Sequence, residues 1–169
     1  MKNVYTLLLL CLILTGFVCP GCKSSSNAHQ LEENKALIRR CTELMEKRDW
    51  KNFTKLHTLD YISHSTLSPK PKTLEETIQS FCEVVDTFPD CSTTIEDIIA
   101  EGDKVVIREL WRGTNKGDIE ELGVKATGKE VSLEIISIFR IMDGRIAESW
   151  EIFDMMSFVN QLGVNTSGG

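Results

Sequence analysis

Residues Phe139 to Asp154 read FRIMDGRIAESWEIFD, and the pair Asp143-Gly144 at the centre decides how the rest is read. A primed hairpin turn needs φ > 0 at its two central positions, which Asp-Gly supplies between apolar, β-prone flanks. Two strands therefore meet there. Counting alternate residues along the second strand puts Ile146, Trp150 and Ile152 on one face, with Asp154 at its end. That pattern predicts a carboxylate closing an apolar stripe, where desolvation can raise its pKa and make it a general acid or base. Glu148 shares the parity of Trp150 and is a second candidate for a buried acid. Asp154 also precedes MMSFVNQL, a short helix closed by Gly163, so an N-cap role is open to it as well.

Working outward, Val131 to Met142 is a long strand feeding the turn. The segment GTNKGDIEELGVKATGKE before it is loop-rich, with a short strand near Ile119 to Leu122. Thr93 to Ala100 and Lys104 to Arg112 form a hairpin across Glu101-Gly102-Asp103. Arg108 and Arg140 read as ion-pair partners on the sheet, and Asp90 as a turn residue after Pro89. Further back the grammar is helical. Leu74, Ile78, Phe81, Cys82, Val85 and Phe88 make a helix face opened by the Thr73/Glu76 capping box and stopped by Pro89. Trp50 to Leu59 is a second, short helix, followed by the polar-aromatic cluster Asp60 to His64. Asn27 to Arg48 is an amphipathic helix, with Asn27 and Gln30 as its capping pair.

Helices first and strands afterwards indicate an α+β domain, with N-terminal helices packed on one side of a curved antiparallel sheet. The 169 residues, 41% hydrophobic and 26% charged, suit one such domain plus an N-terminal appendage. The net charge of −6 without a Lys/Arg-rich run argues against nucleic acid and against electrostatic binding to an anionic membrane. Of six cysteines, Cys11, Cys19 and Cys22 lie in the N-terminal segment. Cys41, Cys82 and Cys91 have no metal spacing and read as small buried side chains, with one disulfide open in an oxidising compartment.

Residues 1–22 carry Lys2, an apolar run from Tyr5 to Leu14, and small residues and cysteines, the pattern of an export signal too short to span with its flanks. Gly21-Cys22 followed by KSSSN resembles the lipobox of bacterial lipoproteins. This implies a lipidated Cys22, a polar tether over 23–29, a domain over 30–165 and a flexible tail over 166–169. The expected location is the bacterial cell envelope, lipid-anchored to the membrane, with secretion or the periplasm as the alternative.

Several local patterns then line up in order: Phe88-Pro89-Asp90, Glu101 to Val106, Gly113-Thr114 with Gly117, Ala126 to Lys129, Phe139-Arg140 with Asp143-Gly144, Trp150, Asp154, and Gln161-Leu162-Gly163. Together they resemble the SnoaL-like polyketide cyclase family, in the nuclear transport factor two-like superfamily. Where the family pattern has a histidine after Gly-Thr, this chain has Asn115. The resemblance implies a cone-shaped sheet whose concave face holds a small apolar ligand, with homodimerisation as a family-level expectation. It also implies an aldol-type ring closure using no metal and no organic cofactor. By that resemblance Asp154 is the catalytic acid/base and His64 a second catalytic residue, with Tyr61, Trp111 and Trp150 lining the substrate pocket. The alternative is a non-catalytic envelope protein that binds a hydrophobic ligand or a protein partner with the same fold.

Overall fold

The computed structural model describes residues 21–66 and 68–164. Two units divide it, Met1–Gln30 and Leu31–Gly169. The described part of the first, 21–30, is helical, and the second holds every other element. The segment before residue 21 lies outside the described residues, as does the tail after 164. Among the described residues no helix is long and apolar enough to cross a membrane.

In chain order the elements are α1 (Gly21–Glu46), α2 (Trp50–Lys55), β1 (His57–Ser65), β2 (Lys72–Thr73), α3 (Leu74–Thr87), β3 (Ser92–Glu101), β4 (Lys104–Thr114), a 3₁₀ turn (Glu120–Leu122), β5 (Glu130–Met142), β6 (Arg145–Phe153) and α4 (Met155–Leu162). The strands form one six-stranded sheet in the order β2-β1-β6-β5-β4-β3. Neighbours are antiparallel except β1 and β6, which run parallel. The sheet is thus mixed rather than wholly antiparallel, because β1 returns through helices before the hairpin series begins.

The main punctuation follows the sequence. Asp143 and Gly144 both have positive φ, 50° and 71°, as the primed turn demands. Thr73 and Glu76 exchange both bonds of a capping box at α3, and α3 ends before Pro89. Three boundaries differ. The helix expected through Leu59 stops at Lys55, because His57 to Ser65 finds a strand partner in β6, and tertiary pairing overrides a weak local preference. Helix α1 begins at Gly21, not at Asn27, so the stretch read as a polar tether continues the helix; extending a formed helix adds one bond per residue fixed and costs little. Near Ile119 to Leu122 a 3₁₀ turn replaces a strand, leaving the single bridge Ile119–Val124.

The core has two parts. Ile38, Cys41 and Leu44 of α1 pack with Phe53 and Tyr61 on Val105, Ile107, Ile141 and Ile146. At the other end Phe88, Val131, Leu133 and Ile135 pack with Phe158 and Leu162 of α4. The apolar side chains of α3 are only half-buried, and Thr77 is its one fully buried residue. The reason is that Phe81, Val84 and Val85 face a cavity between the two parts. The loop after β4 is drawn against the end of α3 by Lys116 and Gly117, whose N–H groups both donate to Thr87 O. A Cβ on Gly117 would lie 2.9 Å from Thr87 Cα, so only glycine permits that approach.

Candidate active site

The cavity has a volume of about 260 Å³, and most of its wall is apolar, with Phe53, Phe81, Phe88, Trp111, Phe153 and Phe158 among its aromatic side chains. One polar stripe crosses it. Ser63 and Ser65 of β1, Ser149 and Glu151 of β6, Ser137 of β5 and Glu109 of β4 all reach it. Register explains the alignment: Ser63 pairs with Ser149, Ser65 with Glu151, and Ser137 with Glu151. Paired residues on adjacent strands project from the same face.

Within the stripe, Tyr61 Oη and Ser149 Oγ are 2.6 Å apart, and the Ser149 hydroxyl donates to Ser63 Oγ at 3.3 Å. Ser137 Oγ donates to Glu109 Oε1 at 3.2 Å. Glu109 is 7% exposed, and no cation lies within ion-pair distance of it among the described residues. Burial, and then the charge of Glu151, push its carboxyl up to about 7, against the opposing Ser137 hydrogen bond. Burial also raises Glu151, while the Lys72 ammonium and the Ser65 hydroxyl favour its ionised form. Burial lowers His57 to about 4. Its Nδ1 lies 2.9 Å from Phe53 O, and since a carbonyl only accepts, Nδ1 carries the hydrogen of a neutral ring. Tyr61 is also raised by burial and stays a neutral hydroxyl.

Tyr61, Trp111 and Trp150 border this cavity, the Trp111 and Phe88 rings meeting in a T-shape. Asp154 and His64 are not among the residues that line it. Asp154 is exposed and serves as the N-cap of α4, accepting from Ser157 N at 3.0 Å. His64 stacks on the Trp150 ring, 5.4 Å between centroids and 4° between planes, and its Nε2 bonds Glu148 at 2.9 Å. Glu148 also accepts from Arg140, and these partners, His64 first, hold it below the ordinary carboxylate range. Glu148 is therefore a half-buried, ion-paired acid that does not line the cavity. Asp90 accepts from both the N–H and the hydroxyl of Thr114, tying the start of β3 to the end of β4. Arg108 pairs with Glu96, Asp97 and Glu134 on the sheet. Asn115 is fully buried, donating to Gly117 O and accepting from Thr127 N and Oγ1. It is a loop fastener rather than a cavity group. Cys41, Cys82 and Cys91 are free thiols, and no three metal-ligating side chains come together among the described residues.

The displacement of the acid from Asp154 to Glu151 has one cause. Arg140 pairs with Glu148 but Ile141 with Ile146, so β6 carries an extra residue opposite that step. Ile146 and Ala147 are both buried, and beyond this bulge the inward set becomes Ser149, Glu151 and Phe153. A one-residue shift exchanges the two faces of a strand. Glu109 is absent from the candidates above, although its signal does not depend on the bulge. It follows Val105 and Ile107 and precedes Trp111 at strict alternation, an acid on an otherwise apolar face.

A curved mixed sheet with helices over its concave, cavity-bearing face defines a nuclear transport factor two-like fold. Within that class the sequence model of the SnoaL-like polyketide cyclase family matches residues 35–162, and the chain belongs to this family. Wild-type IdmH of Streptomyces antibioticus, a proposed polyketide cyclase, is 29% identical with a TM-score of 0.68, over 78% of this chain and 99% of that one. AclR of Streptomyces galilaeus, a proposed hydroxylase, is 25% identical with a TM-score of 0.69, over 79% of this chain and 97% of that one. TsrD of Streptomyces laurentii is 26% identical with a TM-score of 0.68, over 79% and 96%. No curated protein matches the chain. Membership points to a small-molecule function of the cyclase or isomerase type. The differing descriptions of the neighbours show that the fold alone does not fix the reaction.

Proposed function

We propose that the chain is a small-molecule enzyme of the aldol cyclase or isomerase type, with Glu151 as the base that removes a proton from carbon beside a carbonyl. The observation that carries this is a half-buried carboxylate reaching into an apolar cavity beside a row of hydroxyl groups. In water a glutamate is too weak a base for such a proton; burial raises its basicity, and the hydroxyls of Tyr61 and Ser149 supply fixed dipoles where charge develops. The C–H electron pair moves into the enolate, the enolate carbon bonds to a second carbonyl carbon, and the new alkoxide takes back the proton from Glu151. Substrate and product are isomers. The ligand class is an apolar carbonyl compound. This reading moves the acid-base role from Asp154 and His64 to Glu151, because those two side chains lie off the cavity wall.

The test uses 2-tetralone, an apolar ketone with acidic α-hydrogens, in D₂O. The wild-type chain should speed α-hydrogen exchange, and Glu151→Gln should slow it by at least about 100-fold. Exchange by Glu151→Gln at the wild-type rate contradicts the proposal. A non-catalytic binding role uses the same cavity without proton transfer; ketone binding with no exchange by the wild type would establish it instead.

Two further readings belong with this one. Lipidation of Cys22 would hold the enzyme at the cell envelope, supported by the sequence around that cysteine. Homodimerisation is supported by the exposed apolar residues Ile136 and Ile152, paired across β5 and β6 on the face away from the cavity.

A further inference from the structure

Glu109 is the one buried carboxyl of the cavity that the base role leaves unexplained. It projects from β4 between the inward Ile107 and Trp111, two strands from Glu151, with Ser137 of β5 between them. Strand spacing sets the backbones of β4 and β6 about 10 Å apart, and both side chains enter the concave face of one curved sheet. A carbonyl group and its α-carbon fit between two such carboxyls. We infer that Glu109 is a second catalytic residue, a neutral carboxylic acid that donates its proton to the carbonyl oxygen of a substrate whose α-carbon faces Glu151.

This inference rests on the acid-base reading of Glu151 and adds the identity of the proton donor. In the first step the α C–H bond breaks toward Glu151 while the Glu109 O–H bond breaks toward the carbonyl oxygen. The products are an enol, a protonated Glu151 and an ionised Glu109, with net charge unchanged. In the second step the enol carbon bonds to the other carbonyl carbon, the enol proton returns to Glu109, and the new alkoxide is protonated by Glu151. No oxidant or reductant is needed.

The surroundings keep Glu109 protonated. Besides Glu109 and Glu151, the titratable and charged groups that reach the cavity come from α1 and the residues just after it, from β1, from β2 and from Cys91 before β3, whose thiol burial raises, while α3 offers only the hydroxyls of Thr77 and Ser80. Cys41 of α1 is a neutral thiol, pushed up to about 12 by burial and by Glu109 itself. His57 and Tyr61 of β1 are neutral. Lys72 of β2 donates to Ser80 Oγ at 2.6 Å and acts on Glu151. At the end of α1 Glu46 accepts from Thr93 N, and just beyond it Arg48 donates to Pro89 O. None of these supplies Glu109 with a counter-ion, and Glu151 opposes its ionisation.

The test uses benzophenone, whose carbonyl oxygen accepts but cannot donate and which has no α-hydrogen to remove. Binding to the full chain is measured by calorimetry at pH 6 and pH 8, with thermal melts confirming that each variant is folded. With Glu109 titrating near 7, the neutral fraction falls about tenfold over this range, so the wild-type Kd should rise about tenfold. Glu109→Gln should bind with no pH dependence, and Glu109→Ala should bind weakly at both. A wild-type affinity that is flat with pH, a dependence that survives in Glu109→Gln, or no binding at either pH overturns the inference. In the 2-tetralone experiment, exchange lost in Glu151→Gln but unchanged in Glu109→Gln removes only Glu109 from the mechanism. Exchange retained by Glu151→Gln removes the underlying reading.

Discussion

Glu109 and Glu151 enter one cavity from β4 and β6, with Ser137 of the intervening β5 paired opposite Glu151 and bonded to Glu109 at 3.2 Å. Two carboxyls in one apolar space are a stability liability. Glu109 has an ordinary value of 4.5 and sits near 7 in the fold, so between those values the folded state binds more protons than the unfolded one. Its contribution to stability is therefore present below 4.5 and lost as pH rises toward 7. Glu109→Gln should raise stability at pH 8 by on the order of 3 kcal/mol and change little at pH 4. Denaturant titrations at the two pH values check this; a destabilised variant at pH 8 would show that the native state prefers an ionised Glu109.

Asp154 has a structural role that can be read separately. As the N-cap of α4 it satisfies one otherwise unpaired N–H, that of Ser157. Asp154→Ala should cost about 1 kcal/mol in denaturant melts, and Asp154→Asn, which keeps a capping oxygen, only a few tenths. Neither should alter benzophenone binding. Loss of binding in a folded Asp154→Asn protein would place that carboxylate at the ligand after all.

Much of the fold was legible in local chemistry, and the site was legible in part. The Asp143-Gly144 turn, the Thr73/Glu76 box and the β3–β4 hairpin are decided by residues close in sequence, so they could be read from it. Strand β1 could not be, because its partner β6 is more than eighty residues away, and its parallel pairing with β6 leaves no turn signal. The bulge at Ala147 was equally hidden. It is defined only by what lies across from it on β5, yet it moves the inward acid from the expected face to Glu151. Glu109 was visible in the alternation of Val105, Ile107 and Trp111, though an acid at that position is easily taken for an outward residue until the sheet is seen to hold a cavity.

The proposed dimer face gives a prediction independent of the cavity. Ile136 and Ile152 lie side by side, 41% and 62% exposed, and a second copy would bury them. In sedimentation the wild type should be dimeric and Ile152→Lys monomeric with unchanged thermal stability. A monomeric wild type at high concentration would contradict the assignment.

Envelope anchoring gives another. Cells supplied with a palmitate analogue should label the wild-type chain and leave Cys22→Ser unlabelled. A wild type without label would mean that the N-terminal segment does not direct lipidation.

The central claim, that burial shifts both cavity carboxyls out of the ordinary range and divides donor from base between them, is tested most directly by ¹³C NMR. Side-chain carboxyl carbons of glutamate are followed through pH, with Glu109→Gln and Glu151→Gln providing the assignments. Both should titrate above the ordinary value of 4.5, Glu109 close to 7, and removing Glu151 should bring Glu109 down. Two resonances titrating independently near 4.5 would contradict it.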